Sequence, residues 1–132
     1  MVGARGDPHP GQEAATQATI LVVEDEVLVR MFIAEQLREA GYCVIEAADA
    51  REAMEVLRHH GVYVKLVFSD VQMPGFMDGL ALAKTIRSEY PLIKVVLTSG
   101  HLSHVDWAAH DGFFPKPYRA DKIIRHVKAL LG

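Results

Sequence analysis

From Thr19 onward the chain alternates between two hydrophobic rhythms. Unbroken apolar runs occur in TILVVED (residues 19–25), YCVIEA (42–47), KLVFSD (65–70), IKVVLTSG (93–100) and GFFPK (112–116). Short runs of this kind, rich in branched residues and closed by polar or turn residues, read as buried strands. Between them, apolar residues recur at helical spacing: Val29, Ile33, Leu37 and Ala40; Ala53, Met54 and Leu57; Leu80, Ala83 and Ile86; Ile123, Val127 and Leu130. Gly41 supplies a stop for the first helix. Asp49 with Glu52 three residues on forms a capping box before the second, and Asp78 caps the third. Tyr90-Pro91 ends that third helix, because the residue before a proline is pushed out of the helical region. Residues 101–111 leave room for only about two turns at 3.6 residues per turn, so a fourth helix is abbreviated. Strands alternating with helices imply βαβ units, and hence an α/β fold: five parallel strands and five helices, the sheet covered on both faces.

In such a sheet, ligands gather outside the carboxyl ends of the strands. Glu24, Asp25 and Glu26 follow the first strand, Asp70 ends the third, Ser99 the fourth and Lys116 the fifth. Carboxylates crowded to ~4 Å repel by roughly 4 kcal/mol per pair at an effective dielectric near 20. A hard divalent cation relieves this, and oxygen ligands of this kind suit Mg²⁺. Glu26 reads as a solvated loop or cap residue. An ammonium and a hydroxyl around one carboxylate make a cradle for a transferring phosphoryl group, with Asp70 as the nucleophile that accepts it as an acyl phosphate.

The segments ILVVEDE, LVFSDVQMPG, VVLTSG and FFPKPY together resemble the signature segments of the response-regulator receiver domain of two-component signalling, over Thr19 to Leu131. The resemblance implies a flavodoxin-like, doubly wound (βα)5 fold. It implies Mg²⁺, with Mn²⁺ able to substitute, held by the acidic pair Glu24 and Asp25 (Asp25 the direct ligand), by Asp70, and by the backbone carbonyl of Gln72. Asp70 becomes the phosphorylation site, Ser99 the switch hydroxyl and Lys116 the phosphoryl contact. Phe113 falls where these domains place a rotating aromatic. Gln72 and His101 are candidates for tuning the lifetime of the phosphoryl group.

The implied phosphodonor is a sensor histidine kinase or a histidine phosphotransferase, and the signal leaves to a downstream protein. Phosphorylation should therefore switch protein–protein interactions, in a signalling phospho-acceptor rather than an enzyme. MPGFMDG is one residue longer than the commonest spacing, so the loop after Asp70 should be remodelled. The chain stops just after the last helix, which points to a stand-alone regulator; a fragment of a larger regulator or hybrid kinase is the alternative. A metal-dependent phosphatase with an aspartyl-phosphate intermediate is the competing chemistry. The haloacid-dehalogenase type needs an acid two residues after its nucleophile, and Gln72 stands there.

Composition narrows the setting. The 132 residues suffice for one domain with a single core. A net charge of -3 argues against direct nucleic-acid binding. Cys43 is the sole cysteine, so no disulfide framework or CxxC site exists, and a reducing, cytoplasmic setting fits. No apolar run approaches the ~18 residues that span a bilayer. Residues 1–18, rich in Gly, Pro, Ala and Gln, lack a signal peptide's apolar core and read as a mobile tail before a receiver domain at 19–132. His101, His104 and His110 match no zinc spacing. His59 and His60 fall in the last turn of the second helix, where cations favour the dipole.

Overall fold

A computed structural model describes residues 18–100 and 110–132. Its elements are β1 (Thr19–Val23), α1 (Val27–Glu39), β2 (Cys43–Ala47), α2 (Ala50–His60), β3 (Val64–Asp70), α3 (Gly79–Glu89), β4 (Lys94–Ser99), β5 (Gly112–Pro115) and α4 (Ala120–Leu131). The strands form one parallel sheet in the order β2-β1-β3-β4-β5. The expected five strands are present, and four of the expected five helices. The expected short helix falls within residues 101–111, of which 101–109 lie outside the described residues.

Local signals account for most boundaries. Gly41 stands at φ 105°, a left-handed conformation that glycine adopts without a Cβ penalty, just past the end of α1. The Asp49 carboxylate accepts from the Glu52 N–H at 2.9 Å, and Glu52 reaches back to the Ala48 N–H at 2.8 Å. The box thus closes one residue further upstream than its usual form. Asp78 caps α3 by accepting from the Ala81 N–H at 2.9 Å. His59 and His60 do occupy the last turn of α2.

The central runs of β1, β3 and β4 are mainly apolar because that part of the sheet is buried on both faces, while the edge strand β2 carries the charged Glu46. Ile20, Val22, Leu66, Phe68 and Val96 pack with Ile33 and Leu37 of α1 and with Ile123 and Val127 of α4. On the other face, Leu21, Val23, Val67, Val95 and Leu97 pack with Ala53 and Leu57 of α2 and with Leu82 and Ile86 of α3. Each such Leu or Ile contributes on the order of 1.5–3 kcal/mol by leaving water. The chain steps from β1 outward to β2, then crosses back to β3. This reversal opens a crevice between the carboxyl ends of β1 and β3, where a doubly wound sheet binds its ligands.

Candidate functional site

That crevice collects the charged residues. Asp70 is the last residue of β3 and is 5% exposed; Glu24 follows β1 and is 3% exposed. Asp25, next in the chain, faces solvent. One carboxylate oxygen from each of Glu24, Asp25 and Asp70 lies within 4.8 Å of the others. Sequence alone could not say which of the adjacent acids turns inward, because β1 is buried on both faces and its alternation carries no polarity.

Lys116, the residue after β5, reaches across this group. Its Nζ donates to Glu24 Oε1 at 2.9 Å and to Asp70 Oδ2 at 3.0 Å. Burial pulls the ammonium's pKa down, but the hydrogen bonds to Glu24 and Asp70 and their negative charge outweigh it, and the value rises to about 12. Lys116 is therefore a fixed positive charge at any physiological pH. Burial, reinforced by the charge on Asp70, pushes the Glu24 carboxyl above its ordinary value despite opposing hydrogen bonds from the Glu26 N–H and Lys116. Burial and the charges of Glu24 and Asp70 also push the nearby Tyr118 hydroxyl up to about 12, against the pull of Lys116.

The backbone fixes the remaining parts. Glu24 Oε2 accepts from the Glu26 N–H at 3.0 Å, so both oxygens of this carboxylate meet protein donors. Asp70 Oδ1 accepts from the Gln72 N–H at 3.2 Å; the Gln72 side chain itself is exposed. Ser99 is fully buried at the end of β4, and its carbonyl accepts from the Lys116 N–H at 2.8 Å. This bond extends the β4–β5 ladder one residue past Pro115, the residue that pairs with Ser99. The Lys116–Pro117 peptide is cis. Phe113, one residue into β5, is half-buried against the α2–α3 side of the core, its ring 6.4 Å from that of His110. His101 lies outside the described residues.

Glu24, Asp25, Asp70, Ser99 and Lys116 are thus brought to one edge, with Gln72 beside them and Phe113 three residues before the lysine. Two contributors escaped the reading of the sequence. Gly79 donates its N–H to the Val71 carbonyl at 2.8 Å, and a Cβ there would collide with the backbone of Asp70 and Val71. The Asp-Gly pair at the start of α3 was the available signal, but it reads equally as an ordinary cap. Arg30 on α1 donates from Nη1 to the Glu24 carbonyl at 2.8 Å, a contact that helical periodicity does not reveal.

Residues 20–128 match the family described as the response regulator receiver domain. The chain belongs to this family. Among curated relatives, it is 40% identical over 119 residues to the sensor kinase CckA of Brucella abortus, covering 86% of this chain and 12% of that one. It is 42% identical over 126 residues to the transcriptional regulatory protein PdtaR of Mycobacterium tuberculosis, covering 92% of this chain and 60% of that one. The chain therefore spans less than two thirds of the length of these relatives. Among solved structures, it resembles the receiver domain of the hybrid histidine kinase CckA (TM-score 0.74, 38% identity, 86% of this chain and 99% of that one). It also resembles the response regulator TrrA of Thermotoga maritima, solved in complex with Mg(2+)-BeF (TM-score 0.78, 31% identity, 86% and 99%). The doubly wound sheet with helices on both faces is the flavodoxin-like receiver fold.

Proposed function

We propose that this receiver domain is a phospho-acceptor. A phosphoryl group passes from the phosphohistidine of a sensor kinase or phosphotransferase to Asp70, and the modified domain then exchanges protein partners. The observation that carries this reading is the Lys116 ammonium held between Asp70 and Glu24, with Asp25 alongside. A carboxylate oxygen of Asp70 forms a bond to phosphorus as the donor's N–P bond breaks, and the imidazole leaves with the electron pair. Lys116 is charged and already within reach of the oxygens on which negative charge remains.

The acidic group suits Mg²⁺ or Mn²⁺ in its donor chemistry: hard oxygens only, two of the three carboxylates buried, and excess negative charge. Asp25, Asp70 and the Gln72 carbonyl would hold the ion, with Glu24 holding Lys116. When bound, the cation neutralises the carboxylates and polarises the incoming phosphoryl oxygens. Gln72 offers no acid or base to turn over an external phosphoester, which favours carriage of phosphate over a phosphatase cycle. The expected setting is the cytoplasm; no described helix is long and apolar enough to cross a membrane. Residues 19–132 form the domain proposed here.

The donor's approach has a candidate surface. Leu28, Val29 and Phe32 of α1, with Lys116, Pro117 and Tyr118, line an apolar groove of about 510 Å³ that borders the site through Lys116. Leu28 is 78% exposed. A helix carrying the phosphohistidine would bury such residues while presenting its imidazole to Asp70. Leu28→Arg should block transfer from a phosphorylated histidine phosphotransferase while acetyl phosphate still modifies Asp70. Equal transfer from the protein donor to the variant and the wild type would place docking elsewhere.

A further inference from the structure

Asp25 is the exposed member of the acidic group, so its direction depends on the backbone that carries it. That backbone is clamped. The Glu24 N–H donates to the Ala47 carbonyl of β2 at 3.0 Å, and the Glu26 N–H donates to the Glu24 side chain at 3.0 Å. The Glu24 carbonyl accepts from Arg30 Nη1 at 2.8 Å. The Glu24 carbonyl and the Asp25 N–H belong to one rigid peptide plane. Holding the oxygen therefore fixes the plane from which the Asp25 Cα departs.

Arg30 is itself held. Its Nε donates to Glu46 Oε1 at 3.2 Å, with the arginine side chain 17% and the glutamate 28% exposed. Glu46 is braced in turn by Arg38, whose Nη2 donates to Glu46 Oε2 at 3.1 Å and to the Val44 carbonyl at 3.2 Å. Two arginines on α1 thus share one glutamate on β2, but only the first reaches the acid loop.

We propose that Arg30, braced by Glu46, is a positioning residue for the metal side of the site: it fixes the Glu24–Asp25 peptide and so aims the Asp25 carboxylate toward Asp70. This deepens the proposed phospho-acceptor reading and rests on it for the role of the cation. The guanidinium fork is what the task needs. Nε serves the glutamate and Nη1 the carbonyl at once, whereas a lysine ammonium at the same place has no fixed fork with which to hold both.

The test compares Arg30→Ala, Arg30→Lys, Glu46→Gln and Arg38→Ala in the whole chain. Mn²⁺ affinity is read by electron paramagnetic resonance, and amide exchange at Glu24 and Glu26 is read in the metal-free protein. Arg30→Ala should weaken Mn²⁺ binding about tenfold, the usual loss when a group that orients a ligand is removed. It should also speed exchange at the two amides, and Arg30→Lys should restore part of both. Glu46→Gln should fall between Arg30→Lys and wild type. Arg38→Ala removes the same glutamate's other partner but leaves both Arg30 bonds in place, so it should cost less than Glu46→Gln on both readouts. An Arg30→Ala protein that binds Mn²⁺ and protects these amides as the wild type does would overturn the proposal. So would an Arg38→Ala protein that loses as much as Arg30→Ala, since the network would then be a general brace. If Arg30→Ala does not fold, Arg30→Lys and Glu46→Gln decide on the same readouts. Wild-type protein that takes up no Mn²⁺ would overturn the metal reading alone, and amide exchange would still decide the positioning role.

Discussion

Removing the charge of Asp25 should stabilise the metal-free domain and abolish its response to Mg²⁺. Asp25 stands within 4.8 Å of a carboxylate oxygen on both Glu24 and Asp70. Each such pair repels by roughly 0.9 kcal/mol at a water-like dielectric of about 80, and by roughly 3.5 kcal/mol at an effective value near 20. Asp25 is exposed, so the lower figure governs, and the two pairs amount to about 2 kcal/mol. Lost attraction to Lys116 offsets part of this, leaving Asp25→Asn about 1 kcal/mol more stable than wild type in EDTA, or about 4 °C in Tm. The wild type should gain about 2.7 kcal/mol at a Mg²⁺ concentration of about 100 times its Kd, and the variant nothing. The two stabilities therefore cross as Mg²⁺ is added. Urea unfolding with EDTA and with MgCl₂ measures both. A variant less stable than wild type in EDTA, or one that gains equally from Mg²⁺, would refute the reasoning.

Three further outcomes follow from the same geometry. Lys116→Gln should still accept phosphate from acetyl phosphate but lose the amide shifts that phosphorylation should produce at Ser99 and Phe113 in wild type, because the new charge no longer meets its ammonium; an NMR response like that of wild type would remove the coupling role. Gly79→Ala should cost several kcal/mol in urea unfolding and displace Asp70, since the added Cβ meets backbone rather than a flexible side chain, while the exposed Gly75→Ala should cost less. Tyr118, raised to about 12, should ionise well above the ordinary 10.0 in an alkaline absorbance titration. Its folded value lies above the ordinary 10.0, so its contribution to stability is complete below that pH and lost as pH rises through about 12. Tyr118→Phe should remove that high-pH ionisation, and an unchanged titration would contradict the assignment.

The strands and three of the helix caps were legible because their causes are local. A strand buried on both faces must be apolar at every position, and a cap needs only one carboxylate a few residues from the N–H it accepts. The convergence of Glu24, Asp25, Asp70, Ser99 and Lys116 was legible for a topological reason: every strand of a parallel sheet delivers its last residue to the same edge. What the sequence did not disclose is which groups touch there. That Lys116 bridges Glu24 and Asp70 depends on the reach of one side chain across strands 92 and 46 residues distant. The exclusion of a side chain at Gly79 comes from the approach of α3 to the end of β3, which no local pattern encodes. Arg30 looks like any polar position on a helix, because periodicity assigns a face but not the loop that the side chain reaches. Phe113 lies against the core, and its part in a switch remains a proposal, as do the roles of Gln72 and His101.

The central claim is that Asp70 accepts a phosphoryl group with the help of a divalent cation. Intact-mass analysis after incubation with acetyl phosphate tests it most directly, on wild type and Asp70→Asn, each with Mg²⁺ and with EDTA. The account predicts a single phosphoryl adduct on wild type in Mg²⁺, labile to hydroxylamine as an acyl phosphate is, and none in the other three samples. An adduct of equal yield on Asp70→Asn, or on wild type in EDTA, would contradict it.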